Sequence, residues 1–196
     1  MSKTFKHEIK TDFLLDKGVE LLWANGYNAT SVNDIVKAAD IPKGSFYFYF
    51  ENKEDFAVKA IDRYFNQQFE PISRVLNDTT YTAKQRLLNF YEFRVTILND
   101  HLKCKMGCLG SNISTEMSEH SEKIRLAVLQ KGSYVKEEII KVALEAQENG
   151  DIDATTNVRD LVEFVEDAGK GVMISMKEMK DPYPIDNFLR MVKKLI

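Results

Sequence analysis

The chain has 196 residues, 44% hydrophobic and 29% charged, which suits one or two globular domains with a sizeable core. Its 27 Lys and Arg against 30 Asp and Glu leave a net charge of −3, and residues 1–65 are equally balanced, with 9 basic and 10 acidic. A polycation that coats nucleic acid or an anionic membrane is therefore excluded, and any DNA contact must come from a local surface.

Only 9 Gly and 4 Pro occur, with no Pro between residues 72 and 181. β-Sandwiches and barrels need turn residues every 8–12 positions, roughly, so a mostly helical chain is expected. No apolar run reaches the roughly 18 residues of a membrane helix. The start, MSKTFKHEIKTDF, lacks the apolar stretch of a signal peptide. A cytoplasmic protein without a membrane partner is expected. Cys104 and Cys108 are the only cysteines, and His7, His101 and His120 are scattered. Neither a disulfide framework nor a metal site nor any cofactor is expected. No Gly-rich phosphate loop and no nucleophile–base pair is legible, so the expectation is a protein that is not an enzyme.

In chain order, residues 5–25 read as an amphipathic helix, with Leu14, Leu15, Gly18, Leu21 and Leu22 at helical spacing. Gly26 marks a left-handed C-terminal cap. Ser31 or Thr30 caps a second, short helix carrying Asp34 in its first turn and Ile35, Val36, Ala38 and Ala39 on its buried side. Asp40-Ile41-Pro42 breaks it, and Pro42 suits the first position of a third helix. That segment, Lys43-Gly44-Ser45-Phe46-Tyr47-Phe48-Tyr49-Phe50, ends in five consecutive aromatics. Asn52 then caps a new helix with Lys53 on it.

Two short helices joined by a tight turn form a helix-turn-helix candidate. Gly44 and Ser45 allow close approach to DNA, and Lys43 brings a charge for guanine edges or phosphate. Tyr47 and Tyr49 offer hydroxyls to phosphates, and the helix start at Asn52 and Lys53 offers a further phosphate site. Phe46 and Phe50 face inward. Thr30, Ser31, Lys43, Gly44, Ser45, Tyr47, Tyr49 and Lys53 are thus the candidate DNA-binding residues.

The pattern Leu21-Leu22-x-x-x-Gly26-Tyr27, Thr30-Ser31-Val32-x-Asp34-Ile35, Ala39 and Lys43-Gly44-Ser45-Phe46-Tyr47-x-Tyr49-Phe50-x-x-Lys53-Glu54 resembles the N-terminal domain of the TetR/AcrR family of bacterial transcriptional regulators. Two positions depart from it. Asp40 stands where the turn usually has Gly, and Pro42 where the cap is usually Ser; Asp tolerates the left-handed conformation that the turn needs. The resemblance implies an all-α fold of about nine helices, with a helix-turn-helix domain in residues 1–52 and an effector-binding and dimerisation domain in 53–196. It also implies a homodimeric regulator, in the expected reading a repressor released from double-stranded operator DNA by a small molecule.

Beyond residue 52, a helix runs to about Arg74, where Pro71 kinks or ends it. Thr82 caps a helix over 83–100. Residues 106–118 read as a short apolar helix, which would set Cys104 and Cys108 one turn apart on one face. Ser121 opens a long helix ending at Asn149-Gly150, with Ile124, Val128, Tyr134 or Val135, Ile139 and Val142 as its core side. Thr155-Thr156-Asn157 opens the next, which ends before Pro182, and Pro184 or Asp186 starts the last.

Aromatic and Met side chains in the middle helices suit an adaptable apolar cavity. Tyr91, Phe93, Arg94, Cys104, Met106, Cys108, Met117, Phe164 and Met173 are the candidate effector-binding residues. The Met106-Gly107-Cys108-Leu109-Gly110 stretch resembles a branch of the family that includes electrophile- and oxidant-responsive repressors, so thiol sensing is one alternative; a helical ligand carrier or enzyme, which would leave Lys43–Tyr49 unexplained, is the other. Lys103 and Lys105, beside Cys104, would favour its thiolate. In the family the last two helices pair with their copies in a second subunit. Leu161, Val165, Ala168, Val172 and Phe188 are the candidate interface, where small residues permit close helix approach.

Overall fold

The structure, a computed structural model, describes residues 3–196, with side chains from Lys10 onward. Among the described residues there are nine α-helices and no strand. They are α1 (Lys3–Asn25), α2 (Val32–Ala38), α3 (Lys43–Phe46), α4 (Lys53–Leu76), α5 (Ala83–Thr96), α6 (Leu109–Met117), α7 (Glu122–Glu148), α8 (Val158–Met179) and α9 (Tyr183–Leu195). A single π-helical stretch, Ile97–His101, follows α5. No described helix is long and apolar enough to cross a membrane.

The chain forms two compact units. One comprises Met1–Gln67 with Leu109–Lys131; the other comprises Gln68–Cys108 with Gly132–Ile196. In the first unit, α1 buries Leu14, Leu15, Val19 and Leu22, α2 buries Ile35 and Val36, and α4 buries Phe56, Ala57, Ala60 and Ile61. Gly18 lets α4 come close, because a Cβ there would stand 1.9 Å from Phe56 Cζ. Arg63 on α4 clamps α1 with paired bonds of 2.9 Å to the two carboxylate oxygens of Asp16. Burial opposes the charge on Asp16, but hydrogen bonds from Arg63 and Gln67 and the guanidinium charge prevail and hold its carboxyl below its usual value.

In the second unit, Leu87, Phe90, Tyr91, Ile139, Ile140, Val142, Ala143, Ala146, Val158, Val162, Val165 and Val192 form one core drawn from α5, α7, α8 and α9. Val135, not Tyr134, is the α7 residue that packs against it. Arg86 is only 4% exposed. Its Nη1 donates to the Leu76 carbonyl at the end of α4 (3.1 Å), and its other terminal nitrogen pairs with Glu145 on α7.

Several boundaries differ from the sequence reading, each for a local reason. Pro71 lies inside α4, which runs on to Leu76. The 83–100 helix stops at Thr96 and widens into the π-helical stretch. The expected 106–118 helix begins only at Leu109, because Lys103 (φ 50°) and Cys104 (φ 58°) take left-handed backbone just upstream. Met106, Gly107 and Cys108 lie outside any helix, and the two cysteines do not share a helix face. Pro42 is the cap of α3 rather than its first residue, and it provides no side-chain cap bond. The last helix starts at Tyr183, with Pro184 in its first turn.

Candidate functional site

The helix-turn-helix is built from caps. Ser31 Oγ accepts from the Asp34 N–H (3.2 Å), and the Asp34 carboxylate accepts from the Ser31 N–H (2.8 Å), closing a capping box at the start of α2. The Ser31 hydroxyl and N–H together hold the Asp34 carboxyl below its usual value. At the other end, Ile41 N–H donates to Val36 O (3.0 Å) and Asp40 N–H to Lys37 O (3.2 Å). That is a Schellman closure, and Asp40 fills its left-handed position at φ 51°. The short third helix then leaves at a fixed angle. Phe46 and Phe50 anchor it in the core against Phe56, with ring centroids 5.2, 5.6 and 4.9 Å apart.

Anchoring Phe46 and Phe50 turns the residues between them outward. Lys43, Gly44 and Tyr47 are exposed, Ser45 and Tyr49 are half-buried, and Phe48 is 81% exposed. No atom lies within 4 Å of where a Cβ on Gly44 would stand. Two expected contact residues are placed differently. Thr30 is fully buried; its hydroxyl donates to Gly26 O (2.7 Å) and closes the end of α1, so it faces no outer surface. Lys53 is half-buried, its ammonium 4.1 Å over the Tyr27 ring and near the carboxylates of Glu116 and Asp34. Burial lowers the pKa of Lys53, and those carboxylates offset only part of the shift. Asn52 caps α4 as expected, through Asp55 N–H (2.8 Å).

In the second unit, a polar cluster sits within the apolar core. Arg94 Nη1 bonds Glu166 Oε1 at 2.6 Å, with Arg94 29% and Glu166 9% exposed. Burial works against the Arg94 charge, yet Glu166 holds its pKa above the ordinary value, and the Cys108 sulfur lies within electrostatic reach. Tyr91 is buried and hydrogen-bonded to Glu166; burial first, then that carboxylate, push its phenol well above the usual value, so it stays protonated. Met173 is also buried. Phe93 lines an open cleft of about 350 Å³ together with Tyr81, Asn89 and Glu92. Cys104 donates from Sγ to Asn99 Oδ1 (3.4 Å). Burial, then Asp186 and Asp181, push its thiol pKa up, opposite to the shift expected from Lys103 and Lys105.

Residues 14–60 match the family model of bacterial regulatory proteins of the tetR family, and residues 83–192 match that of the tetracyclin repressor-like C-terminal domain. The chain belongs to the TetR family. It is thus a DNA-binding transcriptional regulator. Among its relatives, the HTH-type transcriptional repressor DhaR of Mycobacterium sp. strain GP1 is 31% identical over 179 residues, covering 91% of this chain and 88% of that protein. The repressor NemR of Escherichia coli K12 is 26% identical, over 100% of this chain and 98% of its own. A crystal structure of a regulatory protein TetR from Rhodobacter sphaeroides superposes with a TM-score of 0.85 at 28% identity, covering 93% of this chain and 96% of that one.

Within this TetR-family chain, the remaining candidates divide among different surroundings. Met117 lies in the core of the first unit, not among the second-unit residues. Phe164 is 63% exposed, so it faces out from α8 rather than into the core. Conversely, Val165 is only 1% exposed and Phe188 packs on the core beside Tyr91 and Gly169, which uses both within the protomer. Leu161, Ala168 and Val172 are half-buried. Met106 is half-buried in the loop before α6. Phe48 and Glu116 did not figure among the candidates. Phe48 could have been found, since burying positions 46 and 50 across a single turn leaves 47 and 48 outside. For Glu116 no local signal exists, because its partners are 88 and 89 residues away.

Proposed function

We propose that this regulator is a homodimeric repressor that a small molecule releases from double-stranded operator DNA. The observation that carries the DNA side is the joint exposure of Lys43 and Gly44 on α3 and of Tyr47 and Phe48 in the turn that follows it, a segment whose other side is locked in an aromatic core. Such a segment presents a charge, a hydroxyl and an apolar ring together to a groove without having to order itself on binding. Lys43→Ala and Tyr47→Phe should each weaken operator binding in gel shifts at fixed salt, by about 1–3 kcal/mol where a base edge is read. Thermal unfolding should not change in either variant. Wild-type affinity should fall steeply with added salt. Unchanged affinity in both variants would remove the assignment.

The effector side rests on Tyr91 and Arg94 at Glu166, with Met173 buried on the same helix as that carboxylate. A part-buried ion pair beside a buried phenol gives a polar anchor next to an apolar core, which suits a small molecule with one polar group. A second reading has one observation in its favour: Cys108 is a free, half-buried thiol whose charge would act on that of Arg94. Alkylation or oxidation there would add bulk or charge beside a buried pair. Cys108→Ser keeps the size and removes the nucleophile. If hypochlorite or an alkylating agent releases wild type from DNA but not this variant, thiol sensing holds. Equal release of both would leave the reversible-ligand reading.

A further inference from the structure

We propose that Glu116 is the positioning residue of the helix-turn-helix: its carboxylate fills a backbone anion nest in the α1–α2 turn, and operator binding requires it to stay there. The proposal rests on the reading that this unit binds DNA. Gly26 takes φ +84°, which turns the next two N–H groups toward one point. Glu116, from α6, occupies that point. Its Oε1 accepts from Tyr27 N–H at 3.1 Å and its Oε2 from Asn28 N–H at 2.9 Å. A Cβ on residue 26 would stand 2.2 Å from Oε1, so glycine serves both the backbone angle and the close approach.

The nest matters because of what surrounds it. The Gly26 carbonyl, on the other side of the same turn, accepts the Thr30 hydroxyl, and Ser31 follows at once as the cap of α2. The direction in which α2 leaves α1 is therefore set at residues 26–30. Tyr27 carries the Lys53 ammonium on its ring, so the same carboxylate also fixes the platform under the first residue of α4. A second tie keeps the α6–α7 corner in register: Ser121 donates to Glu54 Oε1 (2.6 Å) and caps α7 through Ile124 N–H (3.1 Å). A displaced α6 would withdraw the carboxylate, leave two N–H groups without their acceptor, and loosen α2 against α1.

The test is chemical rescue, read on a duplex that wild type selects from random DNA. Glu116→Ala should bind that duplex about tenfold more weakly or worse, as expected for two lost charge-assisted bonds. Glu116→Gln, which keeps one acceptor, should lose less. Sodium acetate at constant ionic strength should restore much of the Glu116→Ala affinity and leave wild type unchanged, because a free carboxylate can enter the vacated nest. Wild-type affinity in Glu116→Ala, or a loss that acetate does not reverse, would overturn the proposal. Should wild type select no duplex, the DNA reading itself fails, and amide hydrogen exchange decides the nest. Tyr27 and Asn28 should then be protected in wild type, unprotected in Glu116→Ala and protected again in acetate; any other pattern overturns it.

Discussion

Glu145→Ala should destabilise the protein by about 3 kcal/mol in chemical denaturation. Arg86 is almost wholly buried, and the carboxylate that pairs with it, Glu145, is itself about half exposed. The Arg86 Nε already lacks a hydrogen-bond partner, the one such buried side-chain atom among the described residues. Removing Glu145 leaves a desolvated cation with the Leu76 carbonyl as its hydrogen-bond acceptor and the half-buried Asp78 to act on its charge, and an unpaired buried charge costs far more than the pair contributes. Arg86→Met should cost less, about 1–2 kcal/mol, because it removes the charge and keeps the packing stem while leaving one carbonyl unbonded. The double variant should then be more stable than Glu145→Ala alone. If Glu145→Ala unfolds at the wild-type denaturant midpoint, the pair is not what holds α5 and α7 to the end of α4.

Phe164→Glu with Gly171→Arg should convert the proposed dimer to monomer and reduce operator affinity by about 100-fold or more, since two linked half-sites multiply binding. The outer face of α8 and α9 exposes Phe164, Ile174, Met179, Tyr183, Met191 and Leu195. Gly171 is exposed too, with open space where its Cβ would be, so the larger side chain fits the protomer and obstructs only a second helix. Val165→Asp is a poor test of the same idea, because Val165 belongs to the protomer's core and a charge there would unfold it. Analytical ultracentrifugation and circular dichroism together check the outcome: a folded monomer is expected, and an unchanged dimer would place the interface elsewhere.

Much of the fold was legible because its signals are local. The Ser31–Asp34 cap, Gly26 and Gly150 as helix stops, Asp40 in a left-handed turn, and Phe46 and Phe50 as inward anchors are all decided within a few residues of chain. What was not legible is what two apolar faces or distant partners decide. Helix α8 is apolar on nearly opposite sides, so its period cannot say that Val165 goes in and Phe164 out. The left-handed pair Lys103–Cys104 carries no Gly or Asn to announce it, and that break displaced the start of α6 and separated the two cysteines. Thr30 has the residue type of a cap and a contact, yet its hydroxyl turns inward to the Gly26 carbonyl.

The first compact unit has a consequence for anyone who would cut and splice this protein. It is discontinuous: α6 and the opening turns of α7 belong with the helix-turn-helix although the whole of α5 intervenes in the chain. A fragment ending at Gln67 would expose the faces that Leu109, Ile113, Met117 and Ile124 cover, and would leave the Gly26 turn without its carboxylate. A transplantable recognition head for a chimeric regulator would therefore need a second segment, Leu109–Lys131, grafted along with the first. A junction placed by sequence order alone, just past the aromatic helix, would divide one folded body into two incomplete ones.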